Sequence, residues 1–190
     1  PPVSGPGAAA LVRWLDQPWD PTRGVAEAEL AFRAGQYDAA ALSAQRVVAS
    51  ATAAENQQTL QQGLLWLAFA NTWRGDAAAA TDALSALRQM ADLPAEMNHA
   101  TQYLTALLAY YAGQLDTAEA GFAALETLGE HPLAAAAASG LGLVAHRRGD
   151  LALARSRYQV ARNLAWALGD RLRALNMAMN LAVLDHESGA

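Results

Sequence analysis

Four glycines, Gly35, Gly75, Gly113 and Gly149, each open the same short phrase in this 190-residue chain, and Gly189 follows near its end. The intervals between them are 40, 38, 36 and 40 residues. Five residues after each of the first four stands an alanine: Ala40, Ala80, Ala118 and Ala154. Seven before all five stands another small residue: Ala28, Ala68, Ala106, Gly142 and Ala182. A period of this length is the mark of stacked two-helix units, each unable to bury its apolar face alone.

The spacing predicts helices over 22–34 and 37–54, 58–74 and 76–91, 97–112 and 115–128, 132–148 and 151–168, then a terminal helix over 170–187. The four glycines fall in the turn inside each pair, where a permissive backbone is needed. Asp76 and Asp150 follow their glycines directly and can cap the next helix by accepting its free amide hydrogens. Asp92-Leu93-Pro94, Gly129-Glu130-His131-Pro132 and Gly169-Asp170 break the chain between pairs. A small residue before the turn facing a small residue after it lets the hairpin close. Larger residues then fill the space between hairpins: Tyr37, Leu115 and Leu151; Leu84, Phe122 and Tyr158; Val47, Leu87 and Leu125.

Upstream, Pro1–Gly7 reads as a leader and Ala8–Gln17 as a short helix with Leu11, Trp14 and Leu15 on one face. Residues 1–21 are thus set apart from a repeat domain over 22–190. The chain begins Pro1-Pro2, as expected of a segment cut from a longer protein or one that has lost a leader. All thirteen basic residues are arginine, which suggests a GC-rich bacterial genome. No cysteine is present, so disulfides and thiolate chemistry are excluded and the redox compartment is left open. The formal charge of −5 argues against nucleic acid as the partner. No apolar run approaches the roughly 20 residues needed to span a membrane. A cytoplasmic location is the expectation.

The phrase Leu141-Gly142, Ala145, Gly149-Asp150-Leu151, Ala154, Tyr158, Ala161 resembles the tetratricopeptide repeat family, with weaker echoes at Ala106, Gly113, Ala118 and Phe122 and at Leu67-Ala68, Gly75-Asp76 and Ala80. The first unit departs more, with Glu27 and Ala44 where leucine and an aromatic are usual. The resemblance covers about Thr22 to Ala190, with units longer than the usual ~34 residues. It implies an all-α fold: a right-handed α-α superhelix of about four hairpins plus a terminal helix, similar to arrays in bacterial regulators and signalling proteins.

The resemblance also implies that the first helix of each pair lines a concave face. Its inner positions would be Leu65, Phe69, Thr72 and Trp73; Tyr103, Leu107, Tyr110 and Tyr111; Ser139, Leu143, His146 and Arg147; and Met179, Val183, His186 and Glu187. Tyr and Trp give large contact area at low entropy cost, so this face suits a peptide or partner protein. The alternative is that the rings pack on one another or hold the chain's own leader. Family members that grip a C-terminal carboxylate use Lys, Asn and Arg at such positions, where this chain has Leu65, Phe69, Tyr103 and Leu107.

Seven arginines lie between His146 and Arg173 against only Asp150 and Asp170. Arg148, Arg155, Arg157 and Arg162 therefore define a second, basic surface, either simply solvated or facing an acidic partner. Leu175, Ala178, Leu181 and Leu184 should dock the terminal helix, leaving one apolar flank for further repeats or a homodimer. His146 and His186 occupy equivalent places in successive first helices, yet two imidazoles alone do not make a zinc site. No phosphate loop, nucleophile elbow or HExxH appears. The expectation is a non-catalytic interaction module with no metal and no cofactor. A sensor segment of a larger bacterial ATPase, kinase or transcription activator, and a self-association module, are the alternatives.

Overall fold

The computed structural model describes residues 20–129 and 131–188. The leader and short helix expected before Trp19 lie outside the described residues, as does Gly189. Among the described residues there are nine helices: α1 Pro21–Arg33, α2 Tyr37–Ala53, α3 Gln57–Arg74, α4 Ala77–Arg88, α5 Ala95–Tyr111, α6 Leu115–Glu126, α7 Pro132–Arg147, α8 Leu151–Ala167 and α9 Arg171–Ser188. Each begins and ends within three residues of the range read from the sequence.

The local causes are visible at the helix ends. Gly35, Gly75, Gly113 and Gly149 have φ of +73°, +83°, +77° and +81°, a left-handed conformation that a Cβ would strain. Asp76 Oδ1 accepts from the Ala79 amide at 3.1 Å, and Asp150 Oδ1 from the Leu153 amide at 2.9 Å. Asn56 caps α3 and Asp170 caps α9 in the same way. The Ala79 amide, and then the Arg74 guanidinium, hold the Asp76 carboxyl below its usual range.

Each helix packs against its neighbour in sequence, and α1 also meets α3, α3 meets α5 and α5 meets α7. This sequential packing is consistent with a helical array. The residues expected to close the hairpins are buried: Ala28, Ala40, Ala68, Ala80, Ala106, Ala118 and Ala154. Of those expected between hairpins, Leu84, Phe122, Tyr158, Val47, Leu87 and Leu125 are buried as well, whereas Tyr37, Leu115 and Leu151, two residues after their glycines, are only half-buried. The glycines of α7 face rings rather than alanines. A Cβ on Gly142 would stand 2.5 Å from the Tyr158 ring, and one on Gly140 2.6 Å from the Phe122 ring. The aromatics nine residues after the third and fourth turns, Phe122 and Tyr158, thus each need a bare backbone opposite them.

The terminal helix differs in register from its expectation. Ala174, Met177, Leu181 and Leu184 are buried, whereas Leu175 is 57 % exposed and Ala178 is also open. Two of the four expected docking residues therefore lie on the far side of the helix.

Tyr158 carries a testable consequence. Its ring is fully buried and its hydroxyl has no hydrogen-bond partner among the described residues. Burial pushes its phenol up to about 12, with the Tyr110 phenol and the Glu187 carboxylate adding to the effect. The folded state therefore keeps a proton that the unfolded chain loses near pH ~10. Stability present below that value falls as the pH rises from there toward the folded value. Tyr158→Phe removes the unsatisfied hydroxyl and is expected to be as stable as the parent at neutral pH, or more stable by about 1 kcal/mol. Its alkaline loss of stability should be shallower. Thermal melts at pH 7 and pH 11 check both; a lower melting point at neutral pH would mean that the hydroxyl has a partner.

Candidate functional site

An aromatic cluster forms where α1 crosses α3. Phe32 lies at its centre, with ring centroids 5.5 Å from Tyr37, 5.7 Å from Trp66, 5.5 Å from Phe69 and 5.3 Å from Trp73. Trp66, Phe69 and Trp73 share one face of α3 at i, i+3 and i+7, so a single ring from α1 can touch all three. Phe69 and Leu65 are half-buried, and Trp73 at the edge is 37 % exposed. Sequence reasoning missed Phe32 and Trp66. Phe32 stands three residues before Gly35, the same offset as Thr72, Tyr110 and His146, and that offset could have found it.

Thr72 and Leu107, expected on the open face, are instead buried at 4 % exposure each. Within the α1–α3–α5–α7 row, α3 and α5 are flanked on both sides, so an inner position close to a neighbour is covered. Thr72 Oγ1 satisfies itself by donating to the Ala68 carbonyl at 2.8 Å. Tyr103 is half-buried, packs its ring 5.8 Å from Phe122 and meets Arg173 of α9. Burial pushes the Tyr103 phenol up, with the Arg173 guanidinium opposing.

Trp73 and Tyr111 line one cleft. It is bounded by Thr72 and Trp73 from the last turn of α3, Gly75 and Ala77 from the turn into α4, and Leu108 and Tyr111 from α5, with a volume near 250 Å³. Tyr111 is 56 % exposed. Its phenol is pushed above the ordinary range chiefly by burial of its inner edge, then by the phenols of Tyr110 and Tyr37. A second cleft of about 290 Å³ shares Ala77 and Leu108 and continues between α4 and α5 past Thr81 and Thr105. Small side chains on both walls leave this space open. Arg88 closes the far end by donating to Thr105 Oγ1.

Beyond Tyr111, polar side chains tie the remaining expected positions to one another. Tyr110 packs 5.6 Å from Tyr111, and the Arg147 guanidinium lies 5.3 Å over the Tyr110 ring while donating to its carbonyl at 2.9 Å. His146 Nε2 lies 2.7 Å from Glu187 Oε2, so its neighbour across the repeat is Glu187 rather than the exposed His186. Leu143 packs half-buried against the core of α7, α8 and α9.

The basic surface is corrected more substantially. Arg148 meets both Asp116 (2.5 Å) and Glu119 (2.6 Å), Arg157 meets Glu126 at 2.7 Å, and Arg155 pairs with Asp185. Only Arg162 of the four has no such neighbour among the described residues. A count of charges along the sequence could not see these acids, because stacking delivers them from α6 and α9. Arg155→Glu is therefore expected to lower the melting temperature, by setting a carboxylate beside Asp185 on the helix that α8 must hold. The effect should shrink with salt, on the scale of up to about 1 kcal/mol for an exposed pair. An unchanged melt at low salt would show that the pair is idle.

A separate imidazole pair joins the starts of α5 and α7. His99 and His131 have ring centroids 6.2 Å apart, and His131 Nε2 lies 2.9 Å from Glu96 Oε2. His131 Nδ1 accepts from the Leu133 amide at 3.1 Å, which leaves Nε2 to donate to Glu96. His131 is thereby the N-cap of α7. Among the described residues no group of three metal-ligating side chains is gathered, and no helix is long and apolar enough to cross a membrane.

No model of a known protein family matches the chain, and no curated protein matches it.

Proposed function

We propose that this chain is a tetratricopeptide-like interaction module, a superhelical solenoid without catalytic function, that captures one large apolar side chain of a peptide or partner protein between Trp73 and Tyr111. The cleft between these two rings carries the reading. Its volume, near 250 Å³, lies below the roughly 300–1,000 Å³ of small-molecule pockets and matches a single anchoring side chain. Both rings reach solvent, and Leu108 supplies an apolar floor.

The polar groups at the cleft favour recognition over chemistry. The Thr72 hydroxyl is committed to the Ala68 carbonyl, and the Tyr111 phenol stays protonated well above neutrality. The 36–40-residue period, the left-handed glycines and the packing of α1, α3, α5 and α7 in a row support the repeat reading. The adjoining cleft along α4 and α5 gives the rest of the peptide a path, as helix-in-groove or extended recognition requires.

Selection of a random peptide library on the immobilised chain tests this. Enriched sequences should share one large apolar residue and should not be retained by Tyr111→Ala. Enrichment of acidic sequences that Tyr111→Ala binds equally well would overturn the reading.

A further inference from the structure

The cleft between α4 and α5 is a break in an otherwise closed array. Among the described residues, these two helices pack less closely than any other pair adjacent in sequence. Small side chains face each other across the gap, with Ala77 and Thr81 on α4 and Ala109 and Ala112 on α5, and about 290 Å³ stays open. The loop that joins the two helices is tied back to α3, where Gln57 and Gln61 donate to the Ala91 carbonyl at 3.1 and 3.4 Å. At Ala77 and Leu108 this groove runs into the cleft between Trp73 and Tyr111.

The far end of the groove carries a placed charge. Arg88 is exposed and donates from one terminal nitrogen to Thr105 Oγ1. Thr105 commits its own proton to the Thr101 carbonyl at 2.8 Å, which leaves its oxygen to accept from the guanidinium. Among the described residues Thr105 is the one polar partner of Arg88. Arg74, next to Trp73, is by contrast taken by Asp38 and Asp76. A guanidinium has five N–H donors, so one bond to Thr105 fixes its position and leaves four unused. Its planar fork fits a carboxylate through two parallel hydrogen bonds. One guanidinium balances one negative charge, whereas a phosphorylated side chain calls for a cluster of arginines.

We propose that Arg88 sets the specificity of the peptide site by gripping an aspartate or glutamate side chain of the bound segment. This rests on the reading of the Trp73–Tyr111 cleft as the seat of an apolar anchor. Thr105 stands six residues before Tyr111 on α5, about 9 Å along the helix at ~1.5 Å per residue. An extended segment of the polyproline II kind advances ~3.1 Å per residue and returns a side chain to the same side every third residue. The acid therefore lies three positions from the anchor, and the small walls of the groove admit the backbone between them.

Selection from a random peptide library displayed without a free C-terminus tests the pairing. On the parent chain, enriched sequences should carry an aspartate or glutamate three positions from the large apolar residue. Arg88→Gln should lose that preference, and Arg88→Glu should replace it with arginine or lysine. For one enriched peptide, exchanging its acid for the matching amide should weaken binding to the parent about tenfold and to Arg88→Gln hardly at all. Apolar enrichment that needs Tyr111 but shows no acid preference would overturn the proposal and leave the anchor cleft standing. So would an acid preference that persists in Arg88→Glu. Sequences enriched equally by the parent and by Tyr111→Ala would remove the anchor cleft, and the proposal with it.

Discussion

Gly142→Ala is expected to destabilise the fold by roughly 2–3 kcal/mol, at the upper end of overpacking costs, although it adds a single methyl group to a helix. In an open helix the same change would stabilise by about 1 kcal/mol, because glycine is the poorer helix former. The sign reverses because the added Cβ would stand 2.5 Å from the ring of Tyr158. That ring is wholly buried and rigid, so it cannot swing aside as a flexible chain would. On its other side α7 is held by α6, whose Phe122 sits as tightly against Gly140. Relief in one direction would load the other. Denaturant titration followed by circular dichroism reads the loss. Combining Gly142→Ala with Tyr158→Leu should recover part of it, as contacting sites couple. A stabilised Gly142→Ala would show that α7 and α8 do not approach this closely.

Tyr111→Ala is expected to weaken binding of a selected peptide by about 30-fold, the equivalent of about 2 kcal/mol and the usual scale of an anchoring ring. Trp73→Ala should cost a similar factor, but its reading is less clean. The indole touches Phe32 at 5.3 Å and Phe69 at 5.9 Å, so removing it also erodes the aromatic cluster between α1 and α3. Tyr111 is the more exposed ring, and its aromatic neighbour is Tyr110 on its own helix. Its loss should therefore leave the melting temperature almost unchanged. Calorimetric titration and thermal unfolding of both variants separate the two effects. Binding that survives both changes would place the working surface elsewhere.

The architecture was legible because its punctuation is local. Positive φ demands glycine at Gly35, Gly75, Gly113 and Gly149, and exposed amides demand Asp76 and Asp150, whatever the rest of the chain does. Trp73 and Tyr111 could be named for the same reason: each stands two residues before its turn, where the helix ends and cover runs out. What sequence could not give was the packing between units. Thr72 and Leu107 have the same offsets as the half-buried Tyr110 and Phe69, and only the flanking helices bury them fully. The arginines of α7 and α8 look unopposed until α6 and α9 are stacked beside them. Phe32 went unseen because Glu27 and Ala44 break the motif around it, although its role needs only position and a ring. In α9, Leu175 and Met177 are equally apolar, and which one docks depends on the angle at which Gly169 and Asp170 launch the helix.

We propose that a peptide is held by the cleft between α3 and α5. Amide and indole shifts in nitrogen–proton correlation spectra, followed while a selected peptide is added, test it most directly. The largest changes should fall on the Trp73 indole and on the amides of Thr72, Gly75, Ala77, Leu108 and Tyr111, which surround the cleft. Changes centred instead on Arg148, Arg157 and Arg162, with the Trp73 indole unmoved, would contradict it.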